Sequence, residues 1–200
     1  MPTRPAVLGF RAHSGWAALV VVTGDREAIE VLDRRRVRLA DEETLEGSVR
    51  PYHAAEGKKL PQAAALIRRY ETSARRLALQ GQKAVAETLA RKGYAPASAA
   101  ILLASGRPLP PLEGILASHA LIHAADGEHF RAALAHACER SGIPVIGVRE
   151  RELPQRAEEA LKRPSAELVA TVAALGRALG PPWTQDQKLA ALAGWVALAR

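Results

Sequence analysis

Residues 8–17 read LGFRAHSGWA and join two apolar runs through a short polar turn. The first run spans residues 6–10, and the second spans 16–22 and is rich in β-branched valine. This pattern predicts two strands connected by a tight turn at His13-Ser14-Gly15. After a further turn, residues 28–39 keep an alternating apolar register that predicts a third strand. Residues 1–40 are therefore expected to form a three-stranded antiparallel meander.

The remainder of the chain mixes helical and strand patterns, which predicts an α/β fold. Segment 60–92 repeats apolar residues every three or four positions and has a proline in its first turn, as expected for a long helix. Two apolar strand candidates, 97–104 and 144–148, enclose a helical pattern, so residues 97–161 are expected to form αβ units. Residues 165–200 predict C-terminal helices, the last with Thr184 as its N-cap. A chain of 200 residues can bury one core, and we expect a single domain.

The positive charge of the protein is concentrated in the long helix. The net charge is +7, and nine basic but only two acidic residues lie between Lys58 and Lys92, while the rest of the chain has nineteen of each. The basic side chains recur at seven-residue spacing and form a stripe: Arg68, Arg69, Arg75, Arg76 and Lys83. Two interpretations remain open, a solvated helix face or a surface that contacts the phosphates of DNA or RNA.

Histidines and acids are unusually dense in residues 118–131. His119 and His123 are four residues apart, which on a helix would place both imidazoles on one face, a spacing compatible with a divalent metal site. Asp126-Gly127-Glu128 is typical of a helix start, with Asp126 as the cap and His129 on the outer side. The alternative is a capped amphipathic helix that carries surface histidines.

Several classes of protein receive no support from the sequence. No run of eighteen apolar residues and no signal-peptide core are present, so we expect a cytoplasmic protein without a membrane partner. The single Cys138 lies on an apolar helix face and is expected to be a small buried hydrophobe. No phosphate-cradling glycine loop, paired-cysteine zinc motif or nucleophile elbow occurs.

The order of elements resembles the ribonuclease H-like superfamily, and most closely its RuvC-like, Holliday-junction resolvase branch. Segment 8–17 is similar to the family's opening strand, acid, short turn and Gly-Trp/Tyr pair, and segment 186–193 (DQKLAALA) to its final acidic helix start. The resemblance covers nearly the whole chain. It implies a mixed sheet of three antiparallel strands followed by two parallel strands, with flanking helices.

The resemblance also implies a metal site that this sequence only partly provides. Nucleases of the family hold two divalent ions with carboxylates from the first strand, the fourth strand and the last helix. Here Arg11 stands in the first-strand position, residues 102–105 (LLAS) supply no acid, and Asp186 alone matches a family carboxylate. We therefore expect either loss of two-metal catalysis or a different site chemistry.

Three functional hypotheses follow. In the first, the protein is a hydrolase acting on phosphodiester bonds, and one polar cluster lies at the edge of the sheet. A histidine of this cluster is the general base or a metal ligand, Glu128 or Asp186 orients that histidine, and Arg11 holds an anionic group. The cluster would contain Arg11, His13, His119, His123, Glu128 and Asp186. The second is a non-catalytic nucleic-acid or protein-binding module that binds through the basic stripe and Arg11. The third is an interaction protein whose Trp183 and Trp195 pack a homodimer.

Overall fold

The computed structural model describes residues 3–104 and 108–199, and these residues form one five-stranded mixed sheet. The strands lie in the order β3-β2-β1-β4-β5; the first three pair antiparallel, and β4 and β5 continue parallel to β1. The sheet confirms the predicted fold class. The strands are β1 (Arg4–His13), β2 (Trp16–Gly24), β3 (Ile29–Arg38), β4 (Tyr94–Leu103) and β5 (Val145–Arg149).

Helices cover both faces of the sheet. One layer contains the long second helix and the fourth, and the other contains the fifth, sixth and eighth. The helices are α1 (Pro51–Ala55), α2 (Leu60–Arg91), α3 (Leu112–Leu116), α4 (His119–Arg140), α5 (Leu153–Leu161), α6 (Ser165–Ala174), α7 (Gly176–Leu179) and α8 (Gln185–Leu198). None of these helices combines the length and the apolar character needed to span a bilayer.

The alternation of β1 explains this layering. Leu8 and Phe10 face the α2 and α4 layer, whereas Val7 faces the α8 layer, because successive strand side chains point to opposite faces. Trp195 of α8 is fully buried in the core on the α8 side of the sheet, and its indole N–H donates to the Asp25 carbonyl at 2.8 Å. Both faces of the sheet are therefore packed core.

Helix α8 lies with its backbone directly against β1. A Cβ atom on Gly9 would be 2.0 Å from the Ala190 carbonyl oxygen and 3.3 Å from the Gly194 nitrogen. Only a residue without a side chain permits this approach. Thr184 is the N-cap of α8, as predicted, and it forms a reciprocal capping box with Gln187.

The start of α4 differs from the prediction. The helix begins at His119, seven residues before the predicted cap Asp126, because Ile122 and Ala125 are buried against neighbouring helices and continue the helical repeat. Asp126 is thus an interior residue of α4. His129, predicted to face outward, is only 7% exposed.

Two other predictions concern Cys138 and the loop after β4. Cys138 is buried, as predicted, and desolvation raises the pKa of its thiol to about 12, which makes it a poor nucleophile. The prolines of residues 105–111 (SGRPLPP) predict a stiff loop after β4, and residues 105–107 of this segment lie outside the described residues.

Candidate functional site

A cluster of charged groups lies at the edge of the sheet formed by the C-terminal ends of β1 and β5, beside the start of α8. Arg11 lies two residues beyond Gly9 on the α8-facing side of β1, and Asp186 lies one helical turn before Ala190. Two strand residues advance about 6.6 Å and four helical residues about 6 Å. Contact between Gly9 and Ala190 therefore brings Arg11 beside Asp186.

Arg11 binds two carboxylates at once. Its Nε and Nη2 atoms donate to Oε2 and Oε1 of Glu150, both at 3.0 Å, in a bidentate pair. Its Nη1 atom donates to Oδ1 of Asp186. The hydrogen bond that Arg11 donates to Glu150 is the main influence that raises the pKa of Arg11 above its already high ordinary value. The guanidinium is therefore a permanent cation held between two acids.

His13 completes this cluster, which we call the Arg11 cluster. Its Nε2 atom lies 3.1 Å from Oδ1 of Asp186 and 3.0 Å from Nη1 of Arg11. The imidazole stacks on Trp16 with ring centroids 4.4 Å apart, and the Arg36 guanidinium lies 4.1 Å from the centroid of the same indole ring. These contacts hold the His13 ring in place at a partly exposed edge.

A second cluster, which we call the histidine cluster, joins α1 to the start of α4. His53 of α1 meets His119 and His123 of α4, with ring centroids between 4.5 and 5.3 Å apart. Oδ2 of Asp126 lies 2.5 Å from Nδ1 of His53, and its Oδ1 accepts the Tyr52 backbone N–H at 2.7 Å. The carboxylate predicted to cap α4 instead caps the first turn of α1.

The structure divides the single polar cluster that the sequence predicts. Arg11, His13 and Asp186 lie together, while His119 and His123 belong to the histidine cluster. Glu128 is exposed on α4, and its nearest cationic partner is Arg131 at 3.7 Å. Within residues 3–104 and 108–199, no hydrogen bond or ion pair links the two clusters.

Two residues of these clusters, Glu150 and His53, are not among the site residues predicted from the sequence. Glu150 directly follows β5, and strand ends of an α/β sheet commonly supply ligand-binding groups, so its position was the available signal. His53 gave no such signal, because it lies outside the helices and strands predicted from the sequence, 66 positions before His119.

The basic stripe is exposed along α2, as predicted. Arg68, Arg69, Arg75 and Lys83 are exposed and, among the described residues, have no carboxylate within 4.0 Å, while Arg76 lies 3.8 Å from Asp41. Three of the arginines line a shallow groove of about 600 Å³ beside residues 44 and 45: Arg68, Arg69 and Arg76.

No protein-family model and no curated protein sequence matches the chain. Two solved structures of RuvC from Thermus thermophilus are similar to it. One is RuvC in complex with a Holliday junction substrate, with a TM-score of 0.52 and 14% sequence identity. The match covers 98% of this chain and 94% of that RuvC chain. The other, described as the Thermus thermophilus RuvC structure, has a TM-score of 0.51 and 14% identity and covers 97% and 93%. The chain has the RuvC-like ribonuclease H fold.

The residues of this RuvC-like fold do not fit the pair of divalent ions that the resemblance implies. Arg11 stands in the first-strand position, and the described end of β4 presents Leu102 and Leu103. The two carboxylates nearby, Glu150 and Asp186, already bind the guanidinium. A divalent cation at this edge would be repelled by Arg11, and each acid would have to give up its ion pair first.

The two tryptophans predicted to pack a homodimer, Trp183 and Trp195, instead pack against residues of their own chain. Trp195 is fully buried and has no surface to offer a second copy. Trp183 is partly buried against the second core layer, and its indole N–H donates to the Val172 carbonyl at 2.9 Å. The homodimer therefore stays a prediction without a tryptophan interface to support it.

Arg11→Met tests how much the Arg11 cluster stabilises the fold. We expect the free energy of unfolding to fall by about 1–2 kcal/mol, because the variant removes charge-assisted bonds and leaves two acids near each other, while partial exposure of Glu150 limits the loss. Urea unfolding at low salt measures it. Arg140→Met, an exposed arginine on α4, is the matched control. An Arg11→Met variant as stable as the control would show that the cluster does not stabilise the fold.

Proposed function

We propose that the protein binds the phosphate backbone of DNA or RNA and does not hydrolyse it through a pair of metal ions. The observation that argues against two-metal hydrolysis is the Arg11 guanidinium, which is bound to both Glu150 and Asp186. A fixed cation there pairs with both acids that would otherwise attract a divalent ion, and it offsets one of their two negative charges. With both carboxylates engaged by Arg11, the described part of this edge of the sheet has no free acid to hold the ions that would activate a water for metal catalysis.

The basic stripe on α2 supports the binding half of the proposal. Surface arginines are commonly paired with acids, whereas Arg68, Arg69 and Arg75 have no carboxylate within 4.0 Å among the described residues. Guanidinium groups donate two parallel hydrogen bonds to a phosphate, and neutralising phosphates releases counterions. A row of unpaired arginines is therefore suited to the sequence-independent recognition of a backbone.

Similarity to a RuvC structure solved with a Holliday junction substrate makes a four-way DNA junction the first ligand to test. A DNA duplex and an RNA duplex of equal length should accompany it. No aromatic residue lies among the exposed positions of the stripe, and Tyr70 is buried, so single strands should bind more weakly because stacking is absent.

The test compares nucleic-acid affinity at several salt concentrations by fluorescence anisotropy. We expect log K to fall linearly with log salt, with a slope of roughly −0.9 for each duplex DNA phosphate contacted. The triple variant Arg68→Gln, Arg69→Gln and Arg75→Gln should bind about tenfold or more weakly and show a slope smaller by about 2–3.

A matched triple variant separates the position of the charges from their number. Arg140→Gln, Lys162→Gln and Arg177→Gln remove the same charge from exposed positions off the stripe, and affinity should change by no more than about twofold, since distant exposed charges are screened. Equal losses in both variants would reject the stripe as the binding surface. Cleavage of the bound nucleic acid that requires Mg²⁺ or Mn²⁺ would reject the proposal that the protein does not hydrolyse it through metal ions.

A further inference from the structure

The histidine cluster has the geometry of a metal site. One ring nitrogen from each of His53, His119 and His123 lies within 4.8 Å of the others. The Nε2 atoms of His119 and His123 are 3.1 Å apart. Two nitrogens bound to one tetrahedral zinc ion, with Zn–N bonds near 2.05 Å, lie about 3.3 Å apart. A small closure of His53 toward this pair would complete three ligands around one ion.

Asp126 fixes the orientation of one of these ligands. Its carboxylate is 6% exposed and lies 2.5 Å from Nδ1 of His53, which leaves Nε2 of the same ring for a metal. Its other oxygen is held by the Tyr52 backbone N–H, so the carboxylate itself is anchored. A histidine that donates one ring N–H to a carboxylate and ligates through the other nitrogen is the usual arrangement around protein-bound zinc.

The two elements that carry the ligands are already held in place without a metal. His119 and His123 share one face of α4 at the i and i+4 positions, and α1 packs against both α2 and α4. The ligand spacing is therefore set by the packing of helices, so an ion would meet a nearly formed site.

We propose that His53, His119 and His123 bind one divalent transition-metal ion of the zinc class, with Asp126 as the group that positions His53. Three imidazoles favour Zn²⁺ over Mg²⁺ or Ca²⁺, which prefer oxygen ligands. Three protein ligands leave a fourth position for water or an anion, and His119 and His123 are exposed, so this position opens to solvent. This inference does not depend on nucleic-acid binding, since it concerns different side chains.

The test uses untagged protein and Zn²⁺ alone. Competition with a zinc-binding dye should give one Zn²⁺ per chain, and His119→Ala and His123→Ala should each weaken binding at least tenfold. His136→Ala, on the same helix but outside the cluster, is the matched control and should bind as the parent protein does. Asp126→Asn, checked for native circular dichroism, should weaken binding about ten- to hundredfold.

Cobalt substitution provides a readout of geometry. Co²⁺ bound to the parent protein should show the visible absorption typical of tetrahedral coordination by nitrogen and oxygen ligands, and His123→Ala should lose it. His123 is exposed, so this variant should fold. Absence of stoichiometric Zn²⁺ binding, or equal binding by His123→Ala and His136→Ala, would overturn the proposal.

Discussion

Replacing Gly9 with alanine is expected to prevent native folding or to lower the free energy of unfolding by at least about 4 kcal/mol. The added Cβ atom would lie 2.0 Å from the Ala190 carbonyl oxygen and 2.8 Å from its carbonyl carbon. Both neighbours are backbone atoms, so no side-chain rotation relieves the overlap. Helix α8 would have to move away from β1, and the core between them would open.

The same substitution should also disrupt the Arg11 cluster. Asp186 lies one turn before Ala190 on α8, so a shift of the helix separates its carboxylate from Arg11. Urea unfolding followed by circular dichroism measures the loss. Gly57→Ala is the control: Gly57 has no atom within 4 Å of a new Cβ, and its φ of +72° should cost only about 1 kcal/mol. A Gly9→Ala variant no less stable than this control would show that α8 does not lie so close to β1.

A second large effect is expected from pH, through His129. This residue is 7% exposed, and burial, reinforced by the nearby Arg75 charge, lowers its pKa to about 4. The acids Glu71 and Glu128 line the same small groove beside Tyr52, yet the ring's Nε2 has no hydrogen-bond partner among the described residues. The folded protein therefore keeps His129 neutral.

The sign of the effect follows from proton binding. An unfolded histidine titrates near pH 6.5, so between pH 6.5 and 4 the unfolded chain binds a proton that the folded chain rejects. Above pH 6.5 His129 is neutral in both states and does not change the free energy of unfolding. As the pH drops from 6.5 to 4, this free energy should fall by up to about 3 kcal/mol.

Urea unfolding at intervals between pH 7.5 and 4 tests this prediction. His129→Leu should flatten the decline over this range, since an apolar side chain suits the buried position and takes up no proton. His136→Leu, on the same helix and partly exposed, should leave the decline unchanged. If His129→Leu and the parent protein lose stability in parallel, another group is responsible for the decline.

Much of the fold could be predicted because its signals are local. The apolar runs of residues 6–10 and 16–22 predicted β1 and β2, and the three-or-four spacing of residues 60–92 predicted α2 almost to its ends. The strands run further than the apolar runs do, since backbone pairing continues through polar positions such as Arg11 opposite Ala18. Propensity alone does not contain that information.

The error at α4 has a definite physical cause. Asp126-Gly127 has the composition of a helix start, but the carboxylate caps a different helix, where it accepts the backbone N–H of Tyr52, 74 positions earlier in the chain. Likewise, His129 was predicted to face outward because it is polar, but the packing of neighbouring helices buries it. Both outcomes depend on which helix lies alongside, and no local pattern specifies that.

The candidate sites were predictable only in part for the same reason. Arg11, His13 and Asp186 stood out because the resemblance placed them at one edge of the sheet, and the structure places them together. The pairing of Arg11 with Glu150 spans 139 positions, and His53 joins the other histidines only through the docking of α1. Such contacts become visible once tertiary structure is known.

The Arg11 guanidinium has a lasting consequence for this edge of the sheet. A bound ion comes and goes with its concentration, and a site built on it is active only where that ion is abundant. Here the compensating charge is part of the polypeptide and is present from synthesis onward. The electrostatic character of this surface should therefore be the same in magnesium-poor and magnesium-rich surroundings.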